Sequence, residues 1–116
     1  MKRIKFFLCP TCGNVLTATG TAELSCCGRK LSPLQIQPAD DCHGCRVEEM
    51  DDDWYVSFPH PMSKEHYISF AACVSYDRVL LVKLYPEQGS EFRMPRMRGS
   101  KLYLCCSQHG LFETKL

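Results

Sequence analysis

From Tyr67 onward apolar and polar positions alternate. Ile68, Phe70, Ala72, Val74 and Tyr76 fall on one face of an extended segment and Ser69, Ala71, Cys73 and Ser75 on the other, which predicts a strand. Asp77-Arg78 then turns the chain into Val79-Leu80-Leu81-Val82-Lys83-Leu84-Tyr85, an aliphatic run with the character of a buried strand. Upstream, Arg46–Met50 and Trp54–Phe58 flank the acidic turn Asp51-Asp52-Asp53 as the arms of a hairpin do. Downstream, Glu91–Met94 and Lys101–Cys105 complete the series. Six or seven short strands at roughly regular spacing, with no convincing helical pattern, predict an all-β antiparallel sandwich over residues 38–116.

Residues 1–37 follow a different pattern. Asn14–Thr19 and Thr21–Ser25 read as two short strands around Gly20, a hairpin that brings the pair Cys9 and Cys12 to the adjacent pair Cys26-Cys27, from which thirteen residues separate it. In Cys9-Pro10-Thr11-Cys12-Gly13 two cysteines separated by two residues can place both sulfurs on one ion, while glycine lets the backbone turn its amides toward the thiolates. Four thiolates so arranged specify a tetrahedral site for iron or zinc. A unit of about 37 residues buries too little apolar surface to fold alone, and metal binding would supply much of its folding free energy. The proline-punctuated stretch from Ser32-Pro33 to Pro38-Ala39 reads as a connector.

The chain of 116 residues is 45% hydrophobic and 23% charged, which suits a folded globular protein. Its net charge of +1 argues against a nucleic-acid footprint. Arg93, Arg96, Arg98 and Lys101 form a local basic stretch able to attract an anion or an acidic partner, although such runs are more often solvated surface. The opening Met1–Cys9 segment has too short an apolar run for a signal peptide, with Lys5 set against it, and no stretch approaches the length of a membrane helix. The expected location is therefore the cytoplasm, where nine cysteines are better employed as metal ligands than as disulfides.

Only four histidines are present, and three lie in Pro59-His60-Pro61-Met62, His66-Tyr67-Ile68 and Cys106-Ser107-Gln108-His109-Gly110. Several imidazoles joined by one thiolate suit a redox-active metal better than a structural one. Pro59 and Pro61 stiffen the backbone on both sides of His60, which reduces the freedom lost on coordination. The fourth, His43, sits in Asp40-Asp41-Cys42-His43-Gly44-Cys45. Taken alone that segment reads as a metal clip, a redox pair or plain surface, although no strand-then-helix context of a thioredoxin type surrounds it.

The Cys9, Cys12, Cys26 and Cys27 arrangement resembles the desulforedoxin-type, rubredoxin-like iron site at the N-terminus of desulfoferrodoxins, with a slightly shorter spacer between the pairs. His60-Pro61-Met62, His66-Tyr67-Ile68 and Cys106-x-x-His109-Gly110-Leu111 resemble the catalytic domain of superoxide reductases, so the resemblance spans the chain in the order of a two-iron desulfoferrodoxin. It implies an immunoglobulin-like sandwich with a ferrous ion held equatorially by His43, His60, His66 and His109 and axially by Cys106. The position opposite the sulfur is left for superoxide, which is reduced by one electron to hydrogen peroxide. It further implies a second iron at the four cysteines as electron entry, a rubredoxin-like electron donor and a homodimer, with zinc as a possible substitute metal. The family usually carries a glutamate and a substrate-attracting lysine just before the first histidine, where this chain has Asp41 and Cys42. Lys64 can replace that cation as a catalytic residue, or be an ordinary exposed lysine. Two other functions fit the same residues: a non-enzymatic iron or redox sensor, using the remaining Cys42, Cys45, Cys73 and Cys105, and a structural zinc protein. Of those thiols, Cys73 and Cys105 fall in strand patterns and are expected to be packed.

Overall fold

The computed structural model describes residues 4–41 and 43–115. Every regular element among them is a strand, and the chain divides into two compact units, the second beginning at Ile36. No helix among the described residues is long and apolar enough to cross a membrane.

In the first unit β1 (Lys5–Leu8) pairs antiparallel with β2 (Val15–Ala18), and β3 (Leu24–Cys26) with β4 (Arg29–Leu31). The hairpin expected around Gly20 therefore does not form: the strands on either side of it pair outward, with β1 and β4. Turn chemistry explains the difference. Cys27 and Gly28, the two residues between β3 and β4, have φ of 55° and 73°. Two left-handed residues are what a type I′ turn requires, and that turn matches the twist of paired strands. Between β1 and β2, Gly13 sits at φ 77° and donates its amide to the Cys9 carbonyl at 2.9 Å, while the Cys9 amide bonds the Asn14 carbonyl at 2.9 Å. Each cysteine pair thus occupies the tip of its own hairpin. Phe7, Cys9 and Leu31 are buried beneath them, flanked by Leu16, Ala18, Leu24 and Cys26.

The second unit comprises β5 (Ile36–Pro38), β6 (Arg46–Met50), β7 (Asp53–Ser57), β8 (Ile68–Val74), β9 (Val79–Lys83), β10 (Glu91–Pro95), β11 (Lys101–Cys106) and β12 (Gly110–Lys115). They form a five-stranded sheet in the order β5-β12-β11-β8-β9 and a three-stranded sheet in the order β10-β7-β6. The pairing is antiparallel except that β5 runs parallel to β12. The stretch expected as a connector is thus partly a strand, and Pro38, which lacks an amide hydrogen, is tolerated because β5 lies at the sheet edge. Between the sheets pack Val56, Phe58, Phe92 and Met94 from one side and Ala71, Cys73, Leu102, Leu104 and Phe112 from the other.

Two expectations about this sheet need correction. β8 is buried on both faces, with no residue from Ile68 to Cys73 more than 3% exposed. Its alternation also breaks: Phe70 opposes Cys105 while Ile68 opposes Cys106, leaving Ser69 as an extra residue. This β-bulge turns Ile68 toward the same core as Ala71 and Cys73, so the uniform alternation expected from Ile68 does not hold. The aliphatic β9 is an edge strand rather than a buried one, with Leu81 42% exposed. The basic stretch meets the chain's own carboxylates. Arg93 pairs with Asp53 at 2.7 Å, Arg96 with Glu49 at 3.3 Å and Lys101 with Glu113 at 3.3 Å.

These burials predict opposite outcomes for two leucines. Leu104→Ala should cost about 2–5 kcal/mol, as cavities in packed cores do, whereas Leu81→Ala should stay within about 0.5 kcal/mol, as at most surface positions. Urea unfolding followed by the fluorescence of Trp54, the single tryptophan, measures both; equal losses would contradict the edge position of β9.

Candidate metal centres

The hairpin tips of the first unit bring the sulfurs of Cys9, Cys12, Cys26 and Cys27 within 4.8 Å of one another. The Cys12 and Cys26 sulfurs are 3.6 Å apart and those of Cys26 and Cys27 3.9 Å. Metal–thiolate bonds of about 2.3 Å in a tetrahedron put sulfurs roughly 3.8 Å apart, so the set fits a single ion. The protons are unevenly held. Backbone hydrogen bonds at Cys12 and Thr11 lower the Cys9 thiol to about 6. Cys27, hydrogen-bonded to Cys12 and Cys9, is pushed up to about 12. Gathering several negative sulfurs is unfavourable by itself, and a divalent cation among them removes the conflict.

In the second unit the ligand atoms of His43, His60, His66 and Cys106 likewise lie within 4.8 Å of one another. His109 joins them: its Nδ1 is 3.4 Å from the Cys106 sulfur, and the His66 Nε2 is 3.2 Å from it. Donors at right angles on one ion, with bonds of about 2.1 and 2.3 Å, stand about 3.1 Å apart. The four rings close a circuit, with centroid separations of 5.2 Å from His43 to His60, 4.5 Å to His66, 5.0 Å to His109 and 5.1 Å back to His43. The Nε2 atoms of His43 and His60 are buried without a hydrogen-bond partner. Buried nitrogens of this kind are normally satisfied, and a cation between them would satisfy both.

Local structure positions each member. The bulge at Ser69 sets Cys106 at the end of β11, opposite Ile68. Its loop is tied to the histidine loop by Ser107 N donating to the Tyr67 carbonyl at 2.9 Å, Tyr67 N donating to Ser107 Oγ at 3.1 Å and Gln108 Nε2 donating to the Glu65 carbonyl at 2.7 Å. Gln37 Nε2 on β5 donates to the His109 carbonyl at 2.8 Å. His60 Nδ1 bonds the Pro61 carbonyl at 2.8 Å, which leaves Nε2 as the lone-pair atom. Burial, with the neighbouring imidazoles, lowers the pKa of His60 and keeps it in the neutral form that binds metal. His43 and His60 are buried, His66 is half-buried and His109 is exposed, so the ring of imidazoles opens to solvent on one side.

All nine sulfur and imidazole residues expected from the chain thus fall into two groups. Lys64 stands exposed in the Ser63–His66 turn and makes no ion pair among the described residues. Cys73 and Cys105 are buried, with burial pushing Cys105 up to about 11, and Cys45 packs against the core with its pKa raised by burial. Cys42 lies outside the described residues. The residues around His43 escape sequence reasoning. Asp40 Oδ1 accepts both the His43 amide at 2.7 Å and its Nδ1–H at 2.8 Å, and Phe112 stacks on the ring at 4.0 Å. The only advance signal is a carboxylate three residues before the histidine.

Two separate centres predict two separate losses. Cobalt(II) titration of the full chain should show a sulfur-rich and an imidazole-rich class of site. Cys9→Ser should weaken the first at least about tenfold and spare the second, and Cys106→Ser the reverse. One substitution abolishing both classes would contradict their independence.

No family model matches the chain. The desulfoferrodoxin of Syntrophotalea carbinolica is 26% identical over 123 residues, covering 98% of this chain and 98% of that protein. The desulfoferrodoxin homolog of Methanothermobacter thermautotrophicus is 28% identical over 118 residues, covering 93% and 95%. The crystal structure of the superoxide reductase from Treponema pallidum has the same fold, with a TM-score of 0.82 and 21% identity over 99% of this chain and 100% of that one. Over nearly its whole length the chain is thus similar to proteins named desulfoferrodoxin, and it shares the fold of a superoxide reductase.

Proposed function

We propose that the protein is a superoxide reductase, with His43, His60, His66, His109 and Cys106 holding the reacting iron and Cys9, Cys12, Cys26 and Cys27 holding a second. The observation that carries this reading is the closed circuit of four imidazoles beside one buried thiol, with two buried nitrogens that have no partner. That donor set would hold ferrous iron, whose chemistry when bound would be to give one electron to superoxide, so that with two protons the product is hydrogen peroxide.

The chain's own residues do the rest. Cys106 is buried, so water is kept from its sulfur, and it is paired with Ile68 at the bulge where the histidine loop enters β8. The exposed edge of His109 and the half-buried His66 give a small anion access from solvent. Lys64 precedes His66 by two residues, and we assign it the attraction of that anion in place of the cation absent at Cys42. The four-sulfur centre at the hairpin tips, with Cys12 and Cys27 exposed, suits entry of an electron from a small rubredoxin-like donor, and the active form would be a homodimer in the cytoplasm.

One observation favours a second reading, a non-enzymatic iron or redox sensor. Asp40, Asp41 and Glu65 flank the histidines against Lys64 alone, a balance that slows an anionic substrate. Such a sensor would signal through its metal, because Cys73 and Cys105 are buried with raised pKa values and make poor reporters.

Rapid mixing of the anaerobic, reduced, iron-loaded protein with superoxide decides between them. The enzyme should consume about one superoxide per ferrous histidine centre and form peroxide without evolving dioxygen. Lys64→Ala should lower the rate roughly two- to tenfold at low salt and much less at high salt, where charge steering is screened. Consumption no faster than the spontaneous reaction, or dioxygen released with the peroxide, would overturn the assignment.

A further inference from the structure

We propose that Asp40 is a positioning residue of the histidine centre: its carboxylate fixes Nε2 of His43 as the metal-binding atom and strengthens that nitrogen as a donor. This rests on the ligand set proposed above and goes beyond it, since Asp40 lies outside that set.

His43 is held on three sides. A single carboxylate oxygen, Asp40 Oδ1, accepts the His43 backbone amide at 2.7 Å and the ring Nδ1–H at 2.8 Å. The ring lies flat on Phe112, with centroids 4.0 Å apart and planes 4° from parallel. Phe112 belongs to the buried core between the sheets, so the plane of the imidazole is set by a residue with little freedom to move. With Nδ1 committed to the carboxylate and the face committed to Phe112, Nε2 has one direction left, and it is buried there without a partner.

The contrast with the other buried imidazole isolates the chemistry. His60 gives its Nδ1–H to a neutral acceptor, the Pro61 carbonyl, at 2.8 Å. His43 gives the equivalent hydrogen to an anion. A carboxylate drawing on Nδ1–H raises the electron density at Nε2 and places a negative charge one ring away from the ion. Added donor strength and negative charge stabilise the ferric state more than the ferrous, so this interaction lowers the reduction potential of the centre. Asp40 is 55% exposed while the His43 side chain is 7% exposed. The charge is therefore anchored at the boundary with water and its hydrogen bond points inward, which limits the cost of holding the carboxylate there.

Asp40→Asn tests this because it keeps an oxygen for the His43 amide and removes the charge. Iron(II) and cobalt(II) are titrated into the full-length protein, and the potential of the iron-loaded form is read from the absorption of its thiolate–ferric band. Asp40→Asn should weaken metal binding at the histidine centre about ten- to a hundredfold and move its potential upward, leaving the four-sulfur centre unchanged. Asp40→Glu, which retains the charge, should stay closer to wild type in potential. Glu65→Gln, which removes an equal charge beside His66 from a carboxylate bonded to no histidine among the described residues, should change neither quantity. The proposal is overturned if Asp40→Asn matches wild type in both, if Asp40→Asn and Asp40→Glu shift the potential equally, or if Glu65→Gln shifts it as far. A wild-type protein that takes no metal at the histidines would overturn the proposed function as well; metal binding by wild type with an indistinguishable Asp40→Asn overturns only the role of Asp40.

Discussion

Two imidazole nitrogens buried without partners are the feature around which the second unit is arranged. Each unsatisfied buried polar group costs about 1–3 kcal/mol, against a net stability of about 5–15 kcal/mol for a typical domain. A fold can carry both only if its apolar core is secure without them and something else can satisfy them. The core between the sheets supplies the first condition, with Val56, Ile68, Ala71 and Leu102 wholly buried. The second is met by converging the other donors on the same point, from loops that hydrogen bonds through Ser107, Gln108 and Gln37 hold in register. A cation at that point turns a cost into a set of bonds.

The first unit solves the opposite problem. Its buried cluster contains only Phe7, Cys9 and Leu31, supported by partly buried neighbours. That is too little apolar area to offset the ordering of more than thirty residues, at about 1–2 kcal/mol of backbone entropy each. Its two hairpins are not hydrogen-bonded to each other as strands, and the four sulfurs are where they meet. A metal there would act as a crosslink between hairpins, whereas in the second unit it would occupy a place that packing has already prepared. Metal binding would therefore stand in different relations to folding at the two sites, contributing to it at one and drawing on it at the other.

What the sequence discloses follows the same division. The convergence of the candidate ligands was legible because cysteine and histidine are few and chemically distinctive, and the spacing of Cys9 and Cys12 or of Cys106 and His109 is itself a local constraint. The sandwich was legible where a strand has one wet face, as β6, β7 and β10 do. Legibility failed where pairing depends on turns or on burial on both faces. Gly20 looked like a hairpin turn, yet the left-handed pair Cys27-Gly28 offered the better one and took β3 away. The bulge at Ser69 cannot be read from an alternating pattern, because inserting one residue into the ladder changes which face each neighbour occupies without changing the composition. Ile36–Pro38 escaped because a short edge strand needs only one partner, and that partner, β12, lies more than seventy residues away.

That bulge also links fold to chemistry. Cys106 lies in the same buried cluster as Leu102 and Leu104, in step with the alternation of β11, and without the extra residue in β8 it would pair with Ser69. With it, Cys106 pairs with Ile68 and β8 enters the histidine loop one residue out of step. The displaced Ser69 is not wasted: its hydroxyl donates to the Cys105 carbonyl at 3.3 Å, and its own carbonyl accepts the Leu84 amide at 3.0 Å and Lys83 Nζ at 3.1 Å. Three hydrogen bonds thus hold an irregularity at the point where the loop carrying His66, whose Nε2 is 3.2 Å from the Cys106 sulfur, enters β8. A regular ladder would be the more stable sheet taken alone, so an irregularity braced this firmly where β8 meets the histidine loop is best understood as setting His66 against the Cys106 sulfur.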